Sequence, residues 1–228
     1  DADDVFRVTN NTFRHNSPNS LGNLSGALRV LSGIVSNSKG TEIHISGNTF
    51  TSNGCTGSCM DRGASDALLI HLTTPGITTN VIDNTFTNNG AGQVLHFTMN
   101  RYQDSIYVVS GNEIIGNETS LAIEAGHVNG ATMTISNNVV KANSNGGIWV
   151  KPLNGGRVEL VNNQFINNLG KAIEAESWAG SELVISGNTV SGGNAPSSDG
   201  VAIHIRNDDL HPSTGDIKII ENTFTGNY

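Results

Sequence analysis

Residues 158–168 read Val-Glu-Leu-Val-Asn-Asn-Gln-Phe-Ile-Asn-Asn, and this stretch decides the fold. Its first part alternates apolar and polar residues, which is typical of a strand with one buried face. Asn163 then precedes a short step around Phe165, and Asn168 follows three residues after the phenylalanine. The same arrangement occurs eight times along the chain, so the stretch is one copy of a repeating unit.

Each copy is marked by an asparagine and, two residues later, a large apolar residue. The pairs are Asn11 and Phe13, Asn48 and Phe50, Asn84 and Phe86, Asn112 and Ile114, Asn138 and Val140, Asn163 and Phe165, Asn188 and Val190, and Asn222 and Phe224. A second asparagine follows at Asn16, Asn53, Asn89, Asn117, Asn143, Asn168 and Asn227, whereas the seventh copy has Gly193. The first asparagines are 37, 36, 28, 26, 25, 25 and 34 residues apart. Spacings near a common minimum, with variable insertions, predict the stacked coils of a solenoid.

Three short strands are predicted in each coil. The first has alternating apolar residues before the asparagine, as in Ile43 and Ile45, Met133 and Ile135, Val158 and Leu160, Leu183 and Ile185, and Ile217 and Ile219. The second is the short step around the large apolar residue, and the third is typified by residues 172–175, Ala-Ile-Glu-Ala. The sequence therefore predicts an all-β fold, a right-handed parallel β-helix with three strands per coil and about eight coils or partial coils.

Other repeat architectures fit this pattern less well. A leucine-rich repeat would need helical segments and a Leu-x-x-Leu-x-Leu pattern, and neither is found in the sequence. An antiparallel sandwich would not need asparagines in register. In a parallel solenoid, identical residues stack about 4.8 Å apart, so each amide can donate to the next coil and satisfy buried turn backbone.

Composition limits the partners of this chain. The net charge of -8 argues against binding to nucleic acid or to an anionic membrane surface. No apolar run is long enough to span a bilayer, so we expect no membrane insertion of this segment. The periodicity runs through both ends without capping sequence. We therefore expect residues 1–228 to form a single β-helix segment, a fragment of a longer solenoid.

The two cysteines lie in one predicted loop. Cys55 and Cys59 are four positions apart, and a zinc site needs about four ligands that the sequence does not supply there. A local disulfide between them fits an exported protein. Two free thiols are the alternative.

The Phe-x-x-Asn copies resemble the repeat of chlamydial polymorphic membrane proteins, which are autotransporter adhesins. The second motif of that family, Gly-Gly-Ala followed by an aliphatic residue, is degraded here to Ser-Gly-Ala-Leu at 25–28, Gly-Lys-Ala-Ile at 170–173 and Gly-Gly-Ile at 146–148. The resemblance spans the chain and extends to autotransporter passengers and the pectate-lyase-like superfamily in general. It implies an exported, cell-surface β-helix with an adhesive role.

The third strands supply the candidate binding site. Their predicted outward residues form a row across the coils: Arg29, Leu69, His96, Glu124, Trp149, Glu174 and His204. A small residue two positions before each member predicts a shallow trough. A flat, exposed Trp149 between Glu124 and Glu174 is a common way to hold a sugar ring, and Lys151 lies one step along.

The candidate ligand-binding residues are therefore Trp149, Glu124, Glu174, His96, His204 and Lys151. The predicted ligand is a glycan, or another polymer of a host surface or extracellular matrix. The alternative is an ordinary solvated strand surface on which Glu, His and Trp occur without a ligand.

An enzymatic role rests on carboxylates. Glu124 and Glu174, two coils apart, would be roughly 9–10 Å from each other, near the carboxyl separation of inverting glycosidases. We predict no cofactor, and calcium is the ion for which Asp208 and Asp209 could serve as ligands. No catalytic residue is assigned, because no nucleophile motif, phosphate loop or metal-ligand spacing is found in the sequence.

Three functions fit this sequence. The first is a non-catalytic adhesive or ligand-binding β-helix of an exported cell-surface protein. The second is a carbohydrate-active enzyme of the pectate-lyase-like class, either a polysaccharide lyase, a glycosidase or an epimerase. The third is a structural spacer in a larger extracellular protein. The fold itself does not separate them, because β-helices include both binders and enzymes.

Overall fold

The chain forms stacked coils of parallel β-strands. The computed structural model describes residues 4–16, 26–31, 40–54, 66–90, 92–99, 104–118, 121–178, 180–193, 201–206 and 215–226. These residues form 23 strands, and no helix occurs among them. The all-β prediction is therefore confirmed.

The strands follow one another in a fixed cycle of three. In chain order they are β1 (Val5–Thr9), β2 (Thr12–Arg14), β3 (Gly26–Leu31), β4 (Glu42–Ser46), β5 (Thr49–Thr51), β6 (Asp66–Leu72), β7 (Thr78–Ile82), β8 (Thr85–Thr87), β9 (Gln93–Met99), β10 (Ile106–Ser110), β11 (Glu113–Ile115), β12 (Leu121–Asn129), β13 (Thr132–Ser136), β14 (Val139–Lys141), β15 (Gly146–Leu153), β16 (Arg157–Val161), β17 (Gln164–Ile166), β18 (Ile173–Glu176), β19 (Glu182–Ser186), β20 (Thr189–Ser191), β21 (Ile203–Arg206), β22 (Asp216–Ile220) and β23 (Thr223–Thr225).

Three sheets run along the solenoid. The first sheet is β1-β4-β7-β10-β13-β16-β19-β22, the second is β2-β5-β8-β11-β14-β17-β20-β23, and the third is β3-β6-β9-β12-β15-β18-β21. Each strand pairs in parallel with the equivalent strand of the next coil. Three strands per coil and eight coils or partial coils are thus confirmed.

Apolar side chains form columns inside the coils. Phe13, Phe50 and Phe86 are stacked, with ring centroids 4.8 and 4.7 Å apart. Ile114, Val140, Phe165 and Val190 continue the same column in register. The inward residues of the first and third sheets fill the remaining interior, so the core is continuous along the solenoid rather than a separate cluster in each coil.

The asparagines form two ladders at the ends of the second-sheet strands. The first ladder links Asn11 to Asn222, and in each of its seven links the Nδ2 of one asparagine donates to the Oδ1 of the next. The backbone N–H of each asparagine also donates to that oxygen. The predicted amide ladders are therefore present, and they satisfy turn backbone that would otherwise be buried without partners.

The second ladder is shorter. It links Asn16, Asn53, Asn89, Asn117, Asn143 and Asn168 by five side-chain hydrogen bonds among the described residues. Gly193 stands where the next asparagine would be. A cavity of about 10 Å³ lies there, lined in part by Asn168 and Gly193. That volume is close to the smallest that holds one water molecule.

The turns between the first and second sheets need left-handed backbone. Their residues include Asn10, Gly47, Asp83 and Gly111, all with positive φ. The Asp83 carboxylate lies so close to Gly111 that an added Cβ would overlap with its Oδ1. Asn10 stands in the same relation to Gly47. Glycine is required at these two turns because the side chain of the preceding coil occupies the space.

Some sequence predictions fall outside the described residues. They are the disulfide between Cys55 and Cys59 and the calcium ligands Asp208 and Asp209. Within the part of the chain that the structure describes, no helix is both long and apolar enough to cross a membrane.

Candidate functional site

The predicted row of residues lies in register on the third sheet. Along this outer row, Arg29 pairs with Leu69, Leu69 with His96, His96 with Glu124, Glu124 with Trp149, Trp149 with Glu174, and Glu174 with His204. Leu69 is only 3% exposed and Arg29 is exposed. The accessible polar part of the outer row therefore runs from His96 to His204.

The predicted shallow trough beside the outer row is not formed by the small residues. The small residues two positions earlier do not form an outer trough, because Ala67, Val94, Ala122 and Ala172 are buried in the core. Each is followed by a second inward residue, as in the pair Ala122 and Ile123. Two successive inward side chains leave room only for small or compact residues at the first position.

The neighbours of the outer row come instead from three positions earlier. They form a flanking row of Asp66, Gln93, Leu121, Gly146 and Lys171, of which Asp66 is buried and the others are half-buried. Sequence reasoning did not select Asp66, Gln93 or Lys171. The signal available was their common offset of three residues from His96, Glu174 and Leu69.

Trp149 lies on the outer face but is half-buried, whereas the sequence predicted an exposed indole. Its indole packs on Gly126 of the preceding coil, where the register of β12 against β15 shifts between Ala125 and Val128. A Cβ added at Gly126 would lie 2.6 Å from Cζ3 and 3.0 Å from Cη2 of the indole. The plane of Trp149 is thus fixed by the absence of a side chain at Gly126.

His96 lies between two carboxylates. Its Nδ1 is 3.0 Å from Asp66 Oδ2, and its Nε2 is 3.8 Å from Glu124 Oε1. Burial of the ring lowers the pKa of His96, but the hydrogen bond and charge of Asp66 and the charge of Glu124 outweigh it, so the pKa is raised. Gln93 completes the group, because its backbone N–H donates to Asp66 and its Nε2 donates to Glu124 Oε2 at 2.6 Å.

Glu174 lies among basic groups. Its Oε1 is 3.2 Å from Lys171 Nζ and 3.6 Å from His204 Nδ1, and it also contacts the guanidinium of Arg206. The two carboxylates that pair with Trp149 therefore have opposite surroundings. Glu124 lies near His96, which also contacts the carboxylate of Asp66. Glu174 contacts two cationic side chains, Lys171 and Arg206.

Lys151 turns away from the outer row. Its Nζ is 2.5 Å from Glu176 Oε2 and 4.4 Å from the centroid of the Trp178 ring. Sequence reasoning placed Lys151 beside Trp149 and did not identify Trp178. The side chain of Lys151 is half-buried by these contacts, so it serves a neighbouring ion pair on the same sheet rather than the outer row itself.

The chemistry available on this face is stacking and hydrogen bonding. The Trp149 indole is partly exposed, with carboxylate, imidazole and amide groups on its Glu124 side and carboxylate, imidazole and guanidinium groups on its Glu174 side. Among the residues that the structure describes, no group of three His, Cys, Asp or Glu side chains could hold a metal ion. Glu124 and Glu174 remain two coils apart, with the indole between them.

Comparisons with known proteins bear on the fold only. No curated protein and no solved structure matches the chain. The model of one protein family, described as a right handed beta helix region, matches residues 68–228. This match supports the predicted hand of the solenoid. Because it covers well over half of the sequence, the chain belongs to the family of right-handed β-helix regions.

Proposed function

We propose that this β-helix is a non-catalytic, ligand-binding domain that holds a glycan on the outer row of its third sheet. The observation that carries the proposal is the geometry of Trp149. Its indole is partly exposed, packs on Gly126, and stands in register between Glu124 and Glu174. An aromatic plane with polar groups at both edges is suited to the apolar face and hydroxyl groups of a sugar ring.

The polar groups of the row are held in place by other protein groups. Gln93 fixes Glu124 by a 2.6 Å hydrogen bond, and Lys171 and Arg206 fix Glu174. Side chains that are already ordered lose little conformational freedom when a ligand binds. The strands lie about 4.8 Å apart, so the row offers a regular series of contacts to an extended polymer.

Binding fits these carboxylates better than acid–base catalysis. A general acid must release a proton to the leaving group. Glu174 instead accepts from Lys171 and Arg206, and Glu124 accepts from Gln93. Both carboxylates are thus arranged as hydrogen-bond acceptors, which orient hydroxyl groups.

The cellular setting is part of the same proposal. The Phe-x-x-Asn repeats resemble those of autotransporter adhesins, and the domain would act in an exported, cell-surface protein. Its partner would be a glycan or another polymer of a host surface or extracellular matrix. The net charge of -8 favours such a partner over nucleic acid.

A glycan array followed by calorimetry tests the proposal. The wild-type domain should bind at least one glycan, and Trp149→Ala should remove that binding while the melting temperature changes little. Gly126→Ala should weaken binding by displacing the indole. Ile106→Ala is the matched control, because Ile106 is an exposed apolar residue on the first sheet. Unchanged affinity in Trp149→Ala would refute the proposed site.

The enzymatic alternative rests on one observation. Asp66 orients His96 through Nδ1, and the other ring nitrogen faces Glu124, an arrangement that can move a proton. If the domain is an enzyme, incubation with the bound glycan should release new reducing ends or unsaturated products. His96→Gln should then abolish product formation while binding remains. Products from the wild-type protein would replace the binding proposal with this one.

A further inference from the structure

The Glu174 end of the outer row has a surplus of positive charge. Lys171 and Arg206 both contact this single carboxylate, and His204 lies 3.6 Å from the same oxygen. Glu176 is the register partner of Arg206 and is paired with Lys151, so two carboxylates face three permanent positive charges and a histidine. The surplus is located beside Trp149, since Glu174 is its register partner.

The opposite balance holds on the first sheet. There Arg157 contacts Glu159 and Glu182, and Lys218 contacts Glu182 and Asp216, so two cations face three carboxylates. The chain as a whole carries a net charge of -8. A local excess of cations in an acidic protein creates a favourable position for an anion.

Two groups at this end have unused hydrogen-bonding capacity. The Arg206 side chain is 50% exposed, and a guanidinium has five N–H donors, more than its contact with Glu174 requires. The Nδ1 of His204 is buried 3.6 Å from Glu174 Oε1, too far for a hydrogen bond, but the His204 side chain is 38% exposed, so a ligand can reach the rest of its imidazole ring. Both groups lie on β21, one coil beyond Glu174.

We infer that the Lys171–Arg206–His204 group binds the anionic substituent of an acidic glycan whose sugar ring stacks on Trp149. This inference rests on the proposed function and specifies its ligand class. Arg206 can hold a carboxylate or a sulfate with two parallel hydrogen bonds. His204 lies two strand spacings from Trp149, about 10 Å, which places the anionic group on the stacked sugar or on its neighbour.

The other end of the row fixes the direction of the ligand. Asp66 and Glu124 lie near His96, so two carboxylates face one imidazole there. An anionic substituent would be repelled at that end and attracted at the other. An acidic glycan should therefore bind along the solenoid axis with its charged group toward β21.

The probes are matched pairs that differ in charge. Oligogalacturonate is compared with its methyl ester, and dextran sulfate with dextran, by calorimetry at low and high salt. At least one acidic member should bind about tenfold or more tightly than its neutral counterpart, and its affinity should fall with salt. The two pairs distinguish a carboxylate from a sulfate.

The variants locate the effect. Arg206→Gln should weaken binding of the acidic probe about tenfold, the loss expected for one charge-assisted contact, and leave the neutral probe unchanged. Arg206→Lys should retain part of the affinity because it keeps the charge but not the planar fork. Arg157→Gln removes the same charge from the first sheet and should have no effect.

The outcomes distinguish failure of the anionic subsite from failure of glycan binding on Trp149. Equal affinity for acidic and neutral probes would overturn the anionic subsite and leave glycan binding on Trp149 standing. Equal losses in Arg206→Gln and Arg157→Gln would also overturn it, because the effect would then be the general field of the protein. Failure of the wild-type domain to bind any probe in the array or in the pairs would refute both.

Discussion

The first asparagine ladder and the outer row run through the same coils, but one repeats a single residue and the other changes it at every step. From Asn48 to Asn188 every member of the ladder is buried and bonded to the next. From His96 to His204 no two adjacent members of the outer row are alike. Both follow the same spacing, so the spacing itself does not explain the difference.

The partners of the two rows explain it. An asparagine in the ladder bonds to its own copy in the next coil, so the best residue for one coil is the best for all. A residue on the outer face meets solvent or a ligand, and each coil is free to differ. Repetition therefore indicates a structural role, and variation at a repeated position indicates a surface that faces something else.

The largest effect should come from breaking the first ladder in its middle. Asn138→Ala removes the Oδ1 that accepts from the backbone N–H and Nδ2 of Asn112 and the Nδ2 that donates to Val109 O and Asn163 Oδ1, and it should lower the free energy of unfolding by about 1–3 kcal/mol. Asn163→Ala should behave alike. Asn129→Ala removes an exposed amide contact with Asn154 and serves as the control, with a change of about 0.5 kcal/mol or less. Chemical denaturation measures all three, and wild-type stability of both ladder variants would refute the structural role.

A comparable loss of stability should follow from adding a side chain at the glycine turns. Gly111→Ala forces a side chain into left-handed backbone and against the Asp83 carboxylate, and should cost about 1–3 kcal/mol. Gly155→Ala has the same backbone requirement, but the nearest atom to the added carbon is Gly180 O at 3.9 Å, an ordinary contact. The difference between the two melting temperatures isolates the contact with Asp83. Equal losses would show that only backbone strain matters at Gly111.

His96 on the outer row should make stability depend on pH. Its folded-state pKa is raised above 6.5, so protonation favours the folded state. The contribution is fully present below the unfolded pKa near 6.5 and is lost as pH rises through the higher folded value. His96→Gln should remove this pH dependence, and Asp66→Asn should lower the pKa measured by NMR titration. His127→Gln, on an exposed residue, is the control.

The smallest effect should come from lengthening the second ladder. Gly193→Asn supplies the missing carboxamide beside Asn168, and its backbone lies outside the left-handed region that would penalise a side chain. We expect a gain of about 0.5–1.5 kcal/mol from the added hydrogen bond. A loss of stability would mean that the small cavity at this position cannot accept the side chain.

The sequence predicted what repeats and missed what occurs once. Eight copies of Asn-x-Phe-like steps were enough to place the ladders, the Phe13–Phe50–Phe86 column and the register of the outer row. The packing of Trp149 on Gly126 follows from a register shift that occurs in one coil. The repeat pattern of the sequence cannot predict a feature that occurs only once. The contacts of Lys151 were not predicted for a related reason, since its long side chain could reach either Trp149 or Trp178 and only packing decides.

The flanking row was missed because the coil departs from strict alternation. Ala122 and Ile123 both face the interior, so the outward residue before Glu124 is Leu121 rather than Ala122. A period of two residues, applied to the whole third strand, places Asp66, Gln93 and Lys171 on the wrong side. Corners of a solenoid are where that rule fails, since the chain must turn while keeping its core filled.

The first ladder also gives the solenoid an electrical direction. Every carboxamide oxygen accepts from the coil before it and every Nδ2 donates to the coil after it, so the amide dipoles all point the same way along the axis. Aligned hydrogen bonds polarise one another, which strengthens the central links most. A copy of this solenoid stacked in reverse would set oxygen against oxygen or N–H against N–H. Growth by added coils, whether in evolution or by design, therefore has a single permitted orientation.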